Sequence, residues 1–326
     1  MTDISALKNK TVFITGATGL IGKAVVSRLA SESGDIRIIA CVRNEEKAKR
    51  IFSDFKDRIE LFVSDIKDLP RKDMGVDYII HGASITDSKS FVKRPVEVIE
   101  ETVGGTKAVL DFARVNPVKS FVFLSTMEIY GTPSHDDKIY ETSSNNLDSM
   151  SVRSCYPIGK RLCENMCAAY CSEYAVPTKV VRLTQTFGEG VEYGDKRVFA
   201  EFARCVIENR DIVLKTKGET ERNYLYVYDA VDAILTVLQK GENGEAYNAA
   251  NEETYCSIYE MARMVASKCA DNKINVKIDE SNVKELGYAP TLKMNLSCEK
   301  LKGLGWKAEV NLETMFARLI SYMKGK

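Results

Sequence analysis

TVFITGATGLIG, residues 11–22, is the stretch on which the fold turns. Thr11 to Thr15 is a run of β-branched and aromatic residues ended by glycine, the pattern of a strand buried in a parallel sheet. Gly16, Gly19 and Gly22 follow at intervals of three, and Lys23 to Ala30 then reads as a helix. A glycine at the strand end permits a tight turn and lets backbone N–H groups approach a pyrophosphate. The last glycine lets helix and strand pack closely, and the helix N-terminus favours negative charge. A strand before and a helix after make this the pattern of a dinucleotide site. Thr18, Leu20 and Ile21 belong to the same turn.

Outward from that turn, strand-like runs recur at Ile36–Val42, Ile59–Val63, Tyr78–His81, Ser120–Ser125 and Lys179–Leu183. Helix-like segments lie between them near 45–55, 96–115 and 156–174. The alternation predicts an α/β fold, a doubly wound parallel sheet with helices on both faces. Ligands of such sheets bind beyond the carboxyl ends of the strands. After about residue 186 glycine and charge become denser, in Phe187–Lys196 and again in Lys215–Arg222. A helix is expected near 197–209, a strand end and helix over Tyr224–Leu238, and a short strand at Ala246–Ala249. A Gly-Leu-Gly-Trp turn at 303–306 precedes a last helix. The division expected is residues 1–185 plus about 223–250 for the dinucleotide, with about 186–222 plus 251–326 as a smaller, interleaved substrate domain.

At 326 residues the chain can bury a large core and exceeds the usual single-domain size. Lysine plus arginine equals aspartate plus glutamate, 46 each, so no overall field favours nucleic acid or an anionic membrane. No apolar run approaches the ~18 residues of a membrane span. The nine cysteines contain no C-x-x-C pair and read as reduced thiols, which points to a cytoplasmic protein.

Tyr156 and Lys160 stand four apart at a predicted helix start, so they share one face and can meet the same ligand. Pro157 suits a first helical turn. A free tyrosine, with a pKa of ~10, is a poor base near neutrality, and an adjacent ammonium lowers that value by stabilising phenolate. Ser125 and Thr126 place hydroxyls at a strand's carboxyl end, and Glu128 adds a carboxylate two residues on. Glu128 equally suits a cap or a salt bridge. Cys163, Cys167 and Cys171 extend the stripe of Tyr156 and Lys160 and read as core packing rather than metal ligands, so no metal is expected. His81 reads as a structural partner near the cofactor, and His135 carries no case.

In order along the chain, TGATGLIG at 15–22, SDI at 64–66, IIHGAS at 79–84, STMEIYG at 125–131, YPIGK at 156–160 and GETERNYLYVYDAV at 218–231 resemble one family. It is the extended short-chain dehydrogenase/reductases, in their nucleotide-sugar epimerase/dehydratase branch. TVGGTKAVLDFA at 102–113, RLTQTFG at 182–188 and LGW at 304–306 complete the set. The resemblance implies Gly16, Gly19 and Gly22 at the pyrophosphate, Asp65 and Ile66 at the adenine, and Ala83 and Ser84 against the nicotinamide ribose. It makes Thr126 the hydroxyl that polarises a substrate oxygen, Tyr156 the acid/base and Lys160 its activator. Arg222, and less directly Arg197, stand where an arginine would meet a substrate diphosphate. Dimerisation through helices near 96–115 and 156–174 is implied too.

The departures set the finer expectations. The second strand ends Cys41-Val42-Arg43-Asn44 without the acid that takes an adenosine 2′-hydroxyl. Arg43 there favours NADP over NAD, although it can also stack on adenine with NAD bound. Met127 follows Thr126 where relatives that remove water across C5–C6 carry aspartate, which disfavours a 4,6-dehydratase. Lys160-Arg161 matches decarboxylase-like relatives. Gln185 replaces an asparagine that touches substrate, and Thr102 replaces another common asparagine. The leading expectation is an NAD(P)-dependent epimerase or oxidoreductase working on a nucleotide sugar through a 4-keto intermediate. The alternatives are an NADPH-dependent keto-sugar reductase, a UDP-glucuronate-decarboxylase-like enzyme and a non-catalytic NAD(P)-sensing protein.

Overall fold

A computed structural model describes residues 1–32, 35–280 and 291–325. In chain order, β1 (Thr11–Thr15) leads to α1 (Leu20–Ala30), β2 (Arg37–Val42) to α2 (Glu45–Ile51), and β3 (Ile59–Val63) and β4 (Tyr78–His81) follow. Two short helices, α3 (Ser88–Lys93) and α4 (Pro95–Ile99), precede α5 (Gly105–Arg114) and β5 (Ser120–Thr126). Next come β6 (Lys138–Ile139), α6 (Cys155–Tyr174), β7 (Thr178–Leu183), β8 (Gln185–Phe187), α7 (Val198–Ile207) and β9 (Ile212–Leu214). The remainder is β10 (Glu221–Tyr226), α8 (Val227–Lys240), β11 (Ala246–Ala249), β12 (Asn251–Ser257), α9 (Ile258–Met264), β13 (Val276–Ile278), β14 (Lys293–Leu296), α10 (Glu299–Gly303) and α11 (Leu312–Lys324).

Seven strands form one parallel sheet in the order β11-β7-β5-β4-β1-β2-β3. All five residues of β1 are buried, as its unbroken run of apolar and β-branched residues requires at the centre of such a sheet. Successive strands move outward from β1 on one side and from β4 on the other, so the order reverses between β1 and β4. A second sheet, β12-β10-β14-β6 with β8 also on β10, stands apart from the first, and β9 pairs with β13.

Local chemistry explains the element ends. Asn44 caps α2 by accepting from the Lys47 N–H, Glu45 and Glu46 fill its first turn, and Lys49 and Arg50 its last. A reciprocal Ser257–Glu260 capping box starts α9. The helix expected over 96–115 is interrupted at Glu100–Gly104 by a wider π turn. It runs hard against Ile66 there: a Cβ at Gly105 would lie 2.5 Å from the Ile66 Cδ1. The helix expected to reach 55 stops at Ile51.

The expected boundary at 223 falls inside β10, which pairs only with strands of the second sheet. Only from α8 onward does the chain rejoin the first sheet, through helix packing and the β11–β7 pairing. Beyond α10, Asp229 accepts the Glu309 and Val310 N–H groups and its carbonyl accepts from Trp306 Nε1, tying the C-terminal segment to α8.

Candidate active site

Because strand order reverses between β1 and β4, a crevice opens beyond their carboxyl ends. It widens into a cleft of about 1080 Å³ that takes in every residue nominated from the sequence. That volume stands at the top of the ~300–1,000 Å³ range of small-molecule sites.

The β1–α1 turn is shaped by contacts only glycine allows. Gly16 has φ +69°, and a Cβ there would stand 2.6 Å from the Gly82 carbonyl carbon. A Cβ at Gly22 would stand 2.2 Å from the Gly16 oxygen. Gly19 precedes α1 without a capping side chain, so the first-turn N–H groups of this helix take no side-chain partner there. Such a cradle fits the pyrophosphate of a dinucleotide.

A proton-ordered chain of hydroxyls holds the next strand end. The Thr106 hydroxyl donates to the Thr102 carbonyl, so it accepts from His81 Nε2, 3.1 Å away. His81 Nδ1 then accepts from the Thr15 hydroxyl at 2.7 Å, and Thr15 accepts from the Ala83 N–H at 3.2 Å. Burial, with the nearby Lys160 charge, pushes the His81 pKa down to about 3, so the ring is neutral. His81 is thus a structural partner that sets the position of Ala83 and, beside it, Ser84.

Arg43 follows β2 and stands largely in solvent, with Glu101 4.0 Å away. The Asp65 carboxylate accepts from the Lys67 N–H at 2.9 Å, capping the turn that carries Ile66.

At the middle of the cleft, the start of α6 buries Tyr156 and Lys160 side by side. The Tyr156 ring lies flat on Phe91, with centroids 4.4 Å apart and 10° between planes. Lys160 Nζ donates to the Leu124 carbonyl at 2.8 Å and stands 4.5 Å from the Phe123 ring centroid. Burial lowers its pKa to about 8. The expected lowering of the Tyr156 pKa is not what this geometry produces. Burial raises it, the Glu128 charge raises it further, and a hydrogen bond with Thr126 and the Arg153 charge oppose them. Lys160 Nζ is 6.0 Å from the Tyr156 ring centroid and has given a hydrogen bond to a carbonyl instead.

Strand alternation separates the two hydroxyls of β5. Thr126 accepts from the Glu128 N–H at 3.2 Å, and its own proton serves the Tyr156 oxygen or a ligand oxygen beside it. Ser125 borders the cleft, but its hydroxyl donates to Glu164, which Arg182 holds through Nε and Nη2. The Ser125 hydroxyl thus gives its proton to an internal network while the residue lines the cleft. Met127 is largely buried, its sulfur accepts from Thr184, and it forms part of the cleft wall between Thr126 and Glu128. Glu128 Oε2 accepts from Arg153 Nη2 at 2.8 Å, the salt-bridged alternative raised from the sequence.

Gln185 on β8 and Arg222 on β10 wall the far end. The Arg222 Nε is buried with no hydrogen-bond partner among the described residues, a donor in want of an acceptor. Arg197 grips the Asp195 carboxylate through Nε and Nη2 at the start of α7. Cys163 and Cys167 are buried against the sheet, and no group of His, Cys, Asp or Glu among the described residues is placed to hold a metal ion. No helix among them is long and apolar enough to cross a membrane.

Sequence reasoning missed Arg153, Glu101 and the 86–89 wall. Only Arg153 carried a signal: it lies three residues before Tyr156, where the two flank the same helix start.

The sequence model of the NAD dependent epimerase/dehydratase family matches residues 12–250. The chain is 24% identical over 320 residues to UDP-glucuronic acid decarboxylase 1 of Danio rerio, covering 98% of this chain and 74% of that one. It is 26% identical over 331 residues to the dTDP-D-glucose 4,6-dehydratase of Mus musculus, covering 97% and 89%. Among solved structures, the UDP-glucuronic acid 4-epimerase of Bacillus cereus, in complex with UDP-glucuronic acid and NAD, superposes with a TM-score of 0.81 at 18% identity. That superposition covers 97% of this chain and 99% of the other, a likeness of fold.

Proposed function

This chain belongs to the NAD dependent epimerase/dehydratase family and is an enzyme of that family, and we propose that it oxidises C4 of a nucleotide-activated sugar and reduces the 4-keto sugar again, giving the C4 epimer. The observation that carries this reading is the meeting of Tyr156, Lys160 and Thr126 between a glycine cradle and the orphaned Arg222 donor. A bound nicotinamide supplies the acceptor and donor of hydride. Tyr156 exchanges the proton of the C4 hydroxyl, and Thr126 donates a hydrogen bond to the same oxygen. Lys160, held by the Leu124 carbonyl, lines the cleft one helical turn from Tyr156, and the charge that favours the phenolate in this fold is that of Arg153. Arg222, assisted by Arg197, meets the diphosphate, with Gln185 beside the sugar.

A second reading, reduction of a keto sugar with Tyr156 as the acid, draws support from the raised phenol pKa and from Arg43. Arg43 is the ground for assigning NADP a modest preference over NAD, modest because Glu101 partly offsets its charge. We assign residues 186–222 and 251–326 to the substrate side. A homodimer through the helices of residues 95–114 and α6 is supported by Val96, Ile99 and Leu162, exposed on those faces. The nine free thiols suit a reducing compartment such as the cytoplasm.

Purified protein incubated with NAD or NADPH and uridine, thymidine, cytidine or guanosine sugars tests the reading. C4 epimers formed without net coenzyme consumption support it. Stoichiometric loss of reduced-nicotinamide absorbance with a keto sugar supports the reductase instead, and absence of turnover with every substrate sinks both.

A further inference from the structure

A dinucleotide fold reads the adenosine ribose about 20 residues beyond its glycine turn, at the end of the second strand. An acid there accepts a 2′-hydroxyl, and an arginine takes a 2′-phosphate. In this chain the position holds Arg43 and no acid. A carboxylate arrives at the same place from a distant segment: Glu101 Oε2 lies 4.0 Å from Arg43 Nη1, and both residues line the cleft. Glu101 stands in the π turn Glu100–Gly104, a rare helical irregularity that recurs at functional sites. That turn is pinned to the segment after β3. Lys67 Nζ donates to Glu101 Oε1 at 2.5 Å, and Gly105, just past the turn, packs on Ile66. The Glu101 side chain is 29% exposed against 73% for Arg43, so the carboxylate is the fixed member of the pair and the guanidinium the movable one.

We propose that Glu101 is the residue that limits coenzyme choice in this cleft: its carboxylate restrains Arg43 and opposes a 2′-phosphate, so that NADP gains little over NAD. This rests on the dinucleotide reading of the glycine cradle and on the coenzyme preference given above. A phosphate monoester carries close to two negative charges at neutral pH, and a hydroxyl carries none. A carboxylate at the ribose therefore acts against one coenzyme and spares the other. Like charges brought together where water is displaced oppose binding strongly. Arg43 must also turn from Glu101 before its fork can meet a phosphate in two parallel hydrogen bonds. Lys67 stays with Glu101 throughout and keeps the carboxylate in place.

Calorimetric titration of the purified protein with NADP and with NAD tests this without any sugar substrate. Glu101→Gln keeps the shape and an acceptor oxygen while removing the charge. It should tighten NADP about 10-fold and leave NAD within about threefold. The gain should shrink as salt is raised to about 1 M, where the screening length falls to about 3 Å. Adding Arg43→Gln to Glu101→Gln should abolish the gain, because the two residues act as a pair. Arg43→Gln alone, at an exposed position, is the second measure should Glu101→Gln fail to fold. It should weaken NADP by no more than about threefold, since Glu101 already restrains the guanidinium, and a loss of about 30-fold or more overturns the proposal. Unchanged NADP affinity in Glu101→Gln overturns it while leaving the dinucleotide reading intact. So does a loss of NAD affinity with NADP unchanged, which would make Glu101 an acceptor for the 2′-hydroxyl. Failure of the wild type to bind either coenzyme removes the dinucleotide reading and the proposal together.

Discussion

The two ends of the cleft are built from different materials. At the β1–α1 end the surface presented to a ligand is backbone: Gly16 and Gly22 sit so close to Gly82 and to each other that no side chain fits. At the far end it is side chains on separate segments, Glu128 after β5, Arg153 before α6, Gln185 on β8, Arg197 before α7 and Arg222 on β10. A backbone site is contiguous in sequence and tolerates almost no variation. A side-chain site is gathered from more than ninety residues of chain and can be re-specified one residue at a time. In the function proposed above, the first end serves the coenzyme and the second the sugar nucleotide.

Four changes test that contrast. Tyr156→Phe, between the two ends, should lower kcat by about 10²–10⁴-fold, the usual worth of a placed acid/base. Coenzyme affinity, measured by fluorescence titration, should stay within a few-fold, and a normal kcat would dissolve the division. Gly22→Ala drives a Cβ to 2.2 Å from the Gly16 oxygen, so it should cost about 3 kcal/mol in denaturant unfolding and weaken dinucleotide binding. Gly194→Ala, where nothing lies within 4 Å of the added carbon, is the matched control and should stay within about 0.5 kcal/mol.

The third change concerns the strand end that supports the backbone site. The His81 pKa is about 3 in the fold against an ordinary 6.5, so on acidification the unfolded chain takes up the proton first. The stability His81 contributes is full above pH 6.5 and is lost as pH falls toward 3, at up to about 1.4 kcal/mol per unit. Unfolding curves between pH 7 and 5 should show that slope, and His81→Asn should flatten it. Smallest is Arg222→Gln at the side-chain end: a rise of about 10-fold in KM for the nucleotide sugar with kcat changed less. A fall in kcat at constant KM would move Arg222 into the reacting centre.

Much of this was legible beforehand. Strands with unbroken apolar runs, β1, β4 and β5, announce themselves because a doubly covered parallel sheet demands such runs, and the glycine spacing marks the turn by steric necessity. The π turn at Glu100–Gly104 was not legible, and neither was the close packing of Gly105 on Ile66, which comes from another loop. The placement of β10 in the second sheet depends likewise on β8, β12 and β14. At the site, the partner of the Ser125 hydroxyl was equally hidden: it is Glu164, thirty-nine residues on.

From the amino-acid order alone come the parallel α/β sheet, the glycine cradle and the Tyr156–Lys160 pair, because each is written in short-range spacing that backbone geometry converts directly into shape. The tertiary structure alone decided that burial and Glu128 raise the phenol pKa, that Lys160 turns to the Leu124 carbonyl, and that Arg153 faces Glu128. Those outcomes are set by desolvation and by charges brought together across the fold, and neither is a property of a residue's neighbours in sequence.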